Sequence, residues 1–583
     1  MKQTSGGNII AKMLALEGVE KVFGIIDGTY FGLYANLKRY GIELISPRQE
    51  ACALHMAGAY ARMTGKLGVA IASNGPGVAN ALAGVAVENG EGNRVLLLTS
   101  TRRTGIGYPD RGGTYQYFNQ VGAIKAMAKW SGAALSHMRL QELLRRAFRI
   151  SYRGRPGVVH VDVPEDIMNG KTEAQRFILP QNYRRMEALT ASEAQIEAAA
   201  EMLVAARLPM IHAGSGVIHA AAYAELQQVA ELLHAPVTTS WGGRSALPET
   251  HELAIPMIHI KLNHLVRNRD DAVLTLGSRL GETDWWGKPP YWASPKEQKM
   301  IQVDIDEEIL GLNKPVALAV LSDVKDFLAR LIAKLAVRRE QMPLASRVQA
   351  VKQFRAEMAM LRTKLDEHLT ETGAPMNPAH VAHVCGEFFS PEAICVMDGG
   401  NTAVWAHFFH EARVPNTILQ TAKFGMLGAG VAQALGAAVA FPAREIYCII
   451  GDGAMGFNMQ ELETAVRNNL KVIYLVCCDK QWGMVKMNQQ FALKPLKTMV
   501  RKALAPSETI NADLHEIQFD KLAESMGAHG ERVAAPSELR PALQRCRAAN
   551  KCAVIHVDVD PVKHMWAPGL LHFKAMHQEP KGK

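Results

Sequence analysis

The stretch Ile446-Tyr447-Cys448-Ile449-Ile450-Gly451-Asp452-Gly453 decides how this chain is read. Ile446–Ile450 is an apolar run of the length of a buried strand, and the glycines on either side of Asp452 close it with a tight turn. A helical segment containing Gln460-Glu461-Leu462-Glu463 follows. Lys471–Cys478 is then a second apolar run, and it ends at Asp479. Asp452 and Asp479 stand 27 residues apart. A strand–helix–strand unit of that length brings both strand ends to one edge of a parallel sheet, where open α/β sheets bind ligands. Two carboxylates converging there repel each other unless a cation lies between them. Mg²⁺ suits the pair, because it takes oxygen ligands and bridges to phosphate oxygens. Gly453 permits close backbone approach, and the start of the next helix offers N–H donors to an anion. An ordinary strand-to-helix turn with a capping aspartate explains Gly451-Asp452-Gly453 equally well. The second aspartate tips the balance toward a metal.

Outward from this unit the same alternation continues. Strand candidates in the first third are Val22–Ile26, Glu43–Ser46, Val69–Ser73, Val95–Ser100 and Val158–Val163, with helical patterns such as Ala51–Thr64 and Val78–Asn89 between them. Met210–Ala213, Val237–Ser240, Ala272–Gly277 and Met300–Asp306 follow. Ala393–Met397, Ile418–Thr421, Ile446–Ile450, Val472–Cys477 and Ala553–Val559 close the series. Continuous apolar strands between helices mean parallel sheets covered on both faces. The fold class is therefore α/β, with three consecutive parallel-sheet domains at 1–170, 190–337 and 370–565 and a tail over 566–583. The irregular stretch Asn169–Arg185, the charged stretch Val337–Ala345 and the helical segment Ser346–Thr370 separate them.

Composition excludes several classes. At 583 residues, 48% hydrophobic and 21% charged, the chain is ordinary globular protein. The net charge of +9 is mild for this length, and no basic run marks a nucleic-acid partner. None of the 8 cysteines forms Cys-x-x-Cys, and several lie in apolar strands, which suits a reducing cytoplasm. Met1–Gly7 lacks the apolar core of a signal peptide. The longest apolar window, Phe424 to Ala443, is rich in Gly and Ala and holds Gln433, so it reads as a packed helix and no membrane partner is expected.

Gly451-Asp452-Gly453 followed by Cys478-Asp479 resembles the signature of thiamine diphosphate enzymes, which usually ends in Asn-Asn. The resemblance spans nearly the whole chain and is closest to the acetolactate synthase-like 2-oxo acid decarboxylases and carboligases. Arg48-Gln49-Glu50-Ala51, continuing through Ala57–Gly65, looks like that group's catalytic-glutamate helix. Ser73-Asn74-Gly75-Pro76-Gly77 with Asn80, Tyr115-Gln116, Asp398–Thr402, Phe424–Gly430 and Ile301–Asp306 also match its pattern. The resemblance implies thiamine diphosphate and Mg²⁺ as cofactors. Asp452, Asp479 and the backbone carbonyl of Gln481 would hold the metal, and Asn401, Thr402, Gly453 and Ala454 the diphosphate. The Gly425 carbonyl would face the pyrimidine, Leu427 would wedge between the rings, and Gly75, Pro76, Asn80 and Met484 would line the cofactor. Glu50 would drive proton transfer at the pyrimidine, and Gln116 would hold a substrate oxygen. Asp27, Gly28 and Trp482 would wall the substrate pocket, with Met484 beside Trp482. His55 is taken as structural.

Where acetolactate synthases carry a tryptophan, this chain has Asn488. The resemblance therefore implies decarboxylation and carboligation of a 2-oxo acid, with an aldehyde or oxo acid as acceptor, and leaves two alternatives. One is a 2-hydroxyacyl-CoA lyase or oxalyl-CoA decarboxylase-like activity on an acyl-CoA. The other is a sulfoacetaldehyde acetyltransferase-like activity, suggested by Gln481-Trp482-Gly483 with Lys486. The middle domain would hold FAD, ADP or nothing, at Gly214-Ser215-Gly216, Gly277-Ser278-Arg279 and Asp304/Asp306. Glu50 and Asp452 lie on different domains. The resemblance places the site at a subunit interface, in a homodimer or homotetramer.

Overall fold

The computed structural model describes residues 3–107, 112–174 and 176–572. Ile446–Gly451 is a strand buried along its whole length, as its unbroken apolar sequence requires. It lies between Ile394–Asp398 and Val472–Cys478, all three running parallel. This sheet has six strands, in the order Ile418–Leu419, Ile394–Asp398, Ile446–Gly451, Val472–Cys478, Ala553–Asp558, His529–Val533. Counted along its own segment, that order is 2-1-3-4-6-5.

The N-terminal sheet has the same order. Its strands, edge to edge, are Glu43–Ile45, Lys21–Gly24, Gly68–Ala72, Val95–Thr101, Val158–Pro164 and Trp130–Ala133, again all parallel. The middle sheet differs. It runs Ala254–Ile255, Val237–Thr239, Pro209–Ala213, Ala272–Leu276, Lys299–Asp304, Leu318–Leu321, which is order 3-2-1-4-5-6, that of dinucleotide-binding folds.

Helices cover both faces of each sheet, and the outer sheets also share a core. Helix Glu50–Thr64 packs on helix Ala429–Ala440. The latter is buried almost throughout, which accounts for the Gly- and Ala-rich window between Phe424 and Ala443. A Cβ at Gly436 would lie 2.4 Å from the Met56 carbonyl oxygen, so only glycine allows the two backbones to come this close. No helix of the described residues is long and apolar enough to cross a membrane.

The polar stretch after Asn169 contains one element that periodicity misses. Lys171–Glu173 pairs antiparallel with Gln3–Ser5 and ties the start of the chain to the end of the first sheet's segment. Three residues are too few to show a strand pattern. Helix Leu344–Asp366 leads from the middle sheet to the third.

Candidate active site

In a parallel α/β sheet, neighbouring strands whose connections leave in opposite directions open a crevice at their C-terminal ends. In the C-terminal sheet that crevice lies between Ile394–Asp398 and Ile446–Gly451. Beyond the first strand, Gly399 takes φ +96° and helix Gly400–Phe409 begins, with Asn401 and Thr402 in its first turn. Beyond the second comes helix Asp452–Asn458, and beyond the adjacent strand lies Asp479.

Asp452 accepts hydrogen bonds from the backbone N–H of Gly453 (2.7 Å) and of Lys480 (2.8 Å). Burial, and then the charge of Asp479, push its carboxyl up to about 6. The two aspartates that the sequence reading pairs therefore sit within electrostatic reach of each other. Asp479 takes two bonds, both on Oδ2: 2.6 Å from His564 Nδ1 and 3.0 Å from Gln481 Nε2. A half-buried and a buried carboxylate with lone pairs to spare make an oxygen donor set that fits a hard divalent cation.

Beside it, among the described residues, Asn401 Oδ1 is a buried acceptor without a hydrogen-bond partner. Thr402 Oγ1 lies 2.9 Å from His564 Nε2. The ring of Trp482 lies over Gly453, where a Cβ would come within 2.7 Å of it. Ala454 is buried, and Met484 packs on Gly400. The glycine-rich loop approaches from the other side. Gly425 and Gly428 take positive φ, Gly428 accepts a 3.0 Å bond from Asn458 Nδ2, and half-buried Leu427 packs on the shared core.

The N-terminal sheet opens at the equivalent place, between Lys21–Gly24 and Gly68–Ala72. Asp27 and Gly28 follow the first strand, and the carboxylate of Asp27 accepts from the N–H of Thr29 (2.8 Å). Ser73–Gly77 follows the second. Gly75 takes φ +65°, and a Cβ there would lie 2.6 Å from the Gln116 carbonyl oxygen. Pro76 opens helix Pro76–Glu91. Gln116 itself has φ +53°, and its carbonyl accepts from Asn74 Nδ2 at 2.9 Å.

Glu50 is the first residue of helix Glu50–Thr64, which Gln49 caps. It is 8% exposed. Asn80 Nδ2 donates to it at 3.1 Å, and Gly77 leaves just enough room, since a Cβ would sit 3.2 Å from Glu50 Oε1. His55 lies elsewhere, in a buried 2.7 Å pair with Glu88 that Asn93 completes.

The chain thus gathers the candidates into two clusters. Glu50, Gly75, Pro76 and Asn80 with Gln116 form one; Asp452, Asp479, Gln481, Asn401, Thr402 and Trp482 form the other. No hydrogen bond among the described residues joins Glu50 or Asn80 to Asp452, Asp479 or Asn401.

Two residues in these clusters escape the sequence reading. Gln120 is buried, accepts from the N–H of Gly75 at 3.4 Å and donates to Asp162 at 2.6 Å, so it backs the turn. His564 joins Asp479 to Thr402. No motif marks either one. The only hint for Gln120 is its place four residues after Gln116.

A third opening lies at the corresponding point of the middle sheet. A cavity of about 110 Å³ is lined by Ser215, Gly216, Gly277, Arg279 and Asp304, as the sequence reading expects, together with Arg155 and Lys423. Asp306 lies in the neighbouring groove and accepts from the N–H of Arg155. Burial, with the charges of Arg279 and Arg155, lowers the Lys423 ammonium to about 7. Burial raises the Asp304 carboxyl to about 6.

Comparison with known proteins assigns each sheet. Residues 4–123 match the N-terminal TPP binding domain of thiamine pyrophosphate enzymes, 196–331 their central domain, and 398–557 their C-terminal TPP binding domain. The chain is 27% identical to a probable acetolactate synthase large subunit of Methanocaldococcus jannaschii, over 96% of this chain and 92% of that protein. It is 28% identical to the acetolactate synthase large subunit of Haemophilus influenzae, over 97% and 96%. It is also 28% identical to a 2-hydroxyacyl-CoA lyase of Arabidopsis thaliana, over 95% and 96%. With both cofactor-binding domains present, in order and around the central one, the chain is an enzyme that belongs to the thiamine diphosphate family, in its acetolactate synthase-like group.

Proposed function

We propose that this enzyme uses thiamine diphosphate and Mg²⁺ to decarboxylate a 2-oxo acid and to transfer the acyl unit to an aldehyde or a second oxo acid. The observation that carries the reading is the pair of half-buried Asp452 and buried Asp479 at adjacent strand ends. Bound thiamine diphosphate supplies a nucleophilic carbon that adds to a carbonyl and holds the charge left when carboxylate departs. Asp452, Asp479 and the Gln481 carbonyl hold the metal. Asn401, Thr402, Gly453 and Ala454 bind the diphosphate, and Gly75, Pro76, Asn80 and Met484 line the cofactor. The Gly425 carbonyl and Leu427 orient the pyrimidine. Glu50 exchanges a proton with the pyrimidine nitrogen from a buried position, with Asn80 fixing its other oxygen. Gln116 holds the substrate oxygen, and Asp27, Gly28 and Trp482 exclude water around it.

Two copies complete the site. The N-terminal cluster of one protomer faces the C-terminal cluster of its partner, in a homodimer or a homotetramer. The apolar side chains left exposed beside each cluster favour this: Ile26, Phe31 and Tyr115 on one side, Phe457 and Val485 on the other. The middle cavity takes the anionic end of ADP or FAD, because Arg94, Arg155, Arg279 and Lys423 outnumber the acids Glu91, Asp304 and Asp323 in its lining, at the switch point of a 3-2-1-4-5-6 sheet. The cysteines are buried free thiols, in keeping with a reducing cytoplasm.

A second reading is cleavage of a 2-hydroxyacyl-CoA or a related acyl-CoA. The Arabidopsis lyase matches as much of the chain as the synthases do, and Asn488 is an exposed polar residue where the synthases carry tryptophan. A sulfoacetaldehyde acetyltransferase-like reaction is the remaining variant, with buried Lys486 as its anionic-substrate contact. Mass spectrometry of products from 2-oxo acids, hydroxyacyl-CoAs and aldehydes tests these readings, with cofactor titrated in the presence and absence of Mg²⁺. An acetohydroxy acid formed from pyruvate supports the first reading. Aldehyde release from a hydroxyacyl-CoA with no pyruvate turnover overturns it.

A further inference from the structure

Strand Val472–Cys478 is followed directly by Asp479, a buried acid. The structure supplies a counterpart. His564 lies in the short helix Pro561–Met565 near the end of the described chain, and its side chain is 5% exposed. Its Nδ1 donates to Asp479 Oδ2 at 2.6 Å, and its Nε2 meets Thr402 Oγ1 at 2.9 Å. The backbone around it is fixed on the same wall. Trp405 Nε1 donates to the His564 carbonyl (2.9 Å), Gln481 Nε2 to the Pro561 carbonyl (2.8 Å) and Asn401 Nδ2 to the Met565 carbonyl (3.5 Å). One imidazole therefore ties the metal-side carboxylate to the diphosphate-side hydroxyl, and the short helix cannot drift away from either.

We infer that His564 is a positioning residue that holds Asp479 through Oδ2, leaving Oδ1 for the cation, and fixes the Thr402 hydroxyl through its other ring nitrogen. The inference rests on the reading of Asp479 as a metal ligand. Both hydrogen bonds on Asp479 fall on Oδ2, which leaves Oδ1 without one. A carboxylate oxygen only accepts, so Asp479 fixes the Nδ1–H form of His564, whereas an asparagine, carrying both donor and acceptor, would leave the ring tautomer open. An outer-shell partner that orients a metal ligand typically contributes about 10- to 100-fold in metal affinity.

The test separates the two ring nitrogens. Asparagine places its amide nitrogen near the position of a histidine Nδ1, and glutamine places its amide near Nε2. His564→Asn is expected to keep Mn²⁺ binding within about threefold of the parent and to weaken thiamine diphosphate. His564→Gln is expected to weaken Mn²⁺ by about 10- to 100-fold. Free Mn²⁺ is read by electron paramagnetic resonance, cofactor binding by calorimetry and folding by circular dichroism. Asp479→Asn is expected to weaken Mn²⁺ as well, and the loss in the Asp479→Asn/His564→Gln double variant is not the product of the single losses. Equal behaviour of the two His564 variants toward Mn²⁺, or multiplicative losses in the double variant, overturns the inference. Should His564→Gln not fold, His564→Asn decides: parallel loss of metal and cofactor binding overturns it, and loss of cofactor alone supports it. Asp479→Ala separates this inference from the reading beneath it. Unchanged Mn²⁺ binding there overturns both, whereas lost binding there with none lost in His564→Gln overturns only the role of His564.

Discussion

The first and third sheets of this protein have the same strand order, 2-1-3-4-6-5, and open at the same place. They furnish that opening with different chemistry. In the C-terminal sheet the strand ends carry paired carboxylates, Asp452 and Asp479, and a hydroxyl and an amide, Thr402 and Asn401. In the N-terminal sheet they carry glycines, Asp27 and a hydrogen-bonded polar network, with Glu50 arriving from the helix of a different crossover. Topology decides where a crevice opens, and the residues of two turns decide what it binds. The middle sheet makes the same point by contrast. Its order is 3-2-1-4-5-6, and cations line its switch point.

If the two outer sheets divide the work as proposed, damage to one should leave the task of the other intact. Glu50→Gln keeps the size and the Asn80 contact but removes the exchangeable proton. Turnover of pyruvate is expected to fall by roughly 10²- to 10⁴-fold, while binding of thiamine diphosphate and Mn²⁺ stays within threefold of the parent. Substantial residual turnover would break the division at its N-terminal side. Asp452→Ala should do the reverse. It removes a metal ligand, so Mn²⁺ affinity should drop by more than the approximately 100-fold that an outer-shell loss costs, measured by calorimetry with cofactor present. Stripping the parent enzyme with EDTA should abolish turnover, and Mg²⁺ should restore it. Retained metal binding in Asp452→Ala would show that the carboxylate pair serves only packing.

How far this division is legible in the sequence depends on burial. The central strands, such as Val95–Thr101 and Val472–Cys478, are buried on both faces and read as unbroken apolar runs. The strands that escape the sequence reading, Trp130–Ala133, Ala254–Ile255, Leu318–Leu321 and His529–Val533, are all edge strands. His529–Val533 is half-buried along most of its length and its sequence, His-Gly-Glu-Arg-Val, has only one apolar side chain, so no period stands out. The site divides likewise. Asp452 and Asp479 are candidates because a turn glycine and strand ends mark them, and Glu50 only through the family resemblance. His564 and Gln120 are not, because each is a lone polar residue made meaningful only by what folds against it.

The middle sheet tests whether its switch point is a working site or a structural remnant. With ADP at a hundred times its dissociation constant, the melting transition should rise by the equivalent of about 2.7 kcal/mol. Arg279→Ala and Lys423→Ala should lose that rise without altering Mn²⁺ binding at the third sheet. Burial and neighbouring arginines already bring the Lys423 ammonium down to about 7, so an anion in the cavity relieves an existing cost. A yellow protein with flavin absorption would name FAD. No stabilisation by either nucleotide would leave the cavity a structural one.

The smallest effect lies behind the N-terminal turn. Asp162 is 3% exposed and accepts from Thr99 Oγ1 (2.5 Å) and Gln120 Nε2 (2.6 Å). Burial outweighs these bonds and raises its carboxyl to about 7. The folded protein therefore keeps a proton that the unfolded chain releases near pH 4. The stability tied to that proton is complete below about pH 4 and is lost as pH rises through about 7. Asp162→Asn keeps an oxygen for Thr99 and Gln120 and cannot ionise. It should change the denaturation midpoint little at pH 5 and stabilise the protein at pH 8 by roughly 1–3 kcal/mol, a discounted fraction of the full shift. The Asp479 pocket offers no such gain, because there the carboxylate is held by His564 and Gln481 with an oxygen left for a cation. A stabilisation of Asp162→Asn that is equal at both pH values would mean that this acid is ionised in the folded protein, and the contrast between a neutral acid behind the N-terminal turn and a carboxylate pair at the C-terminal opening would fail.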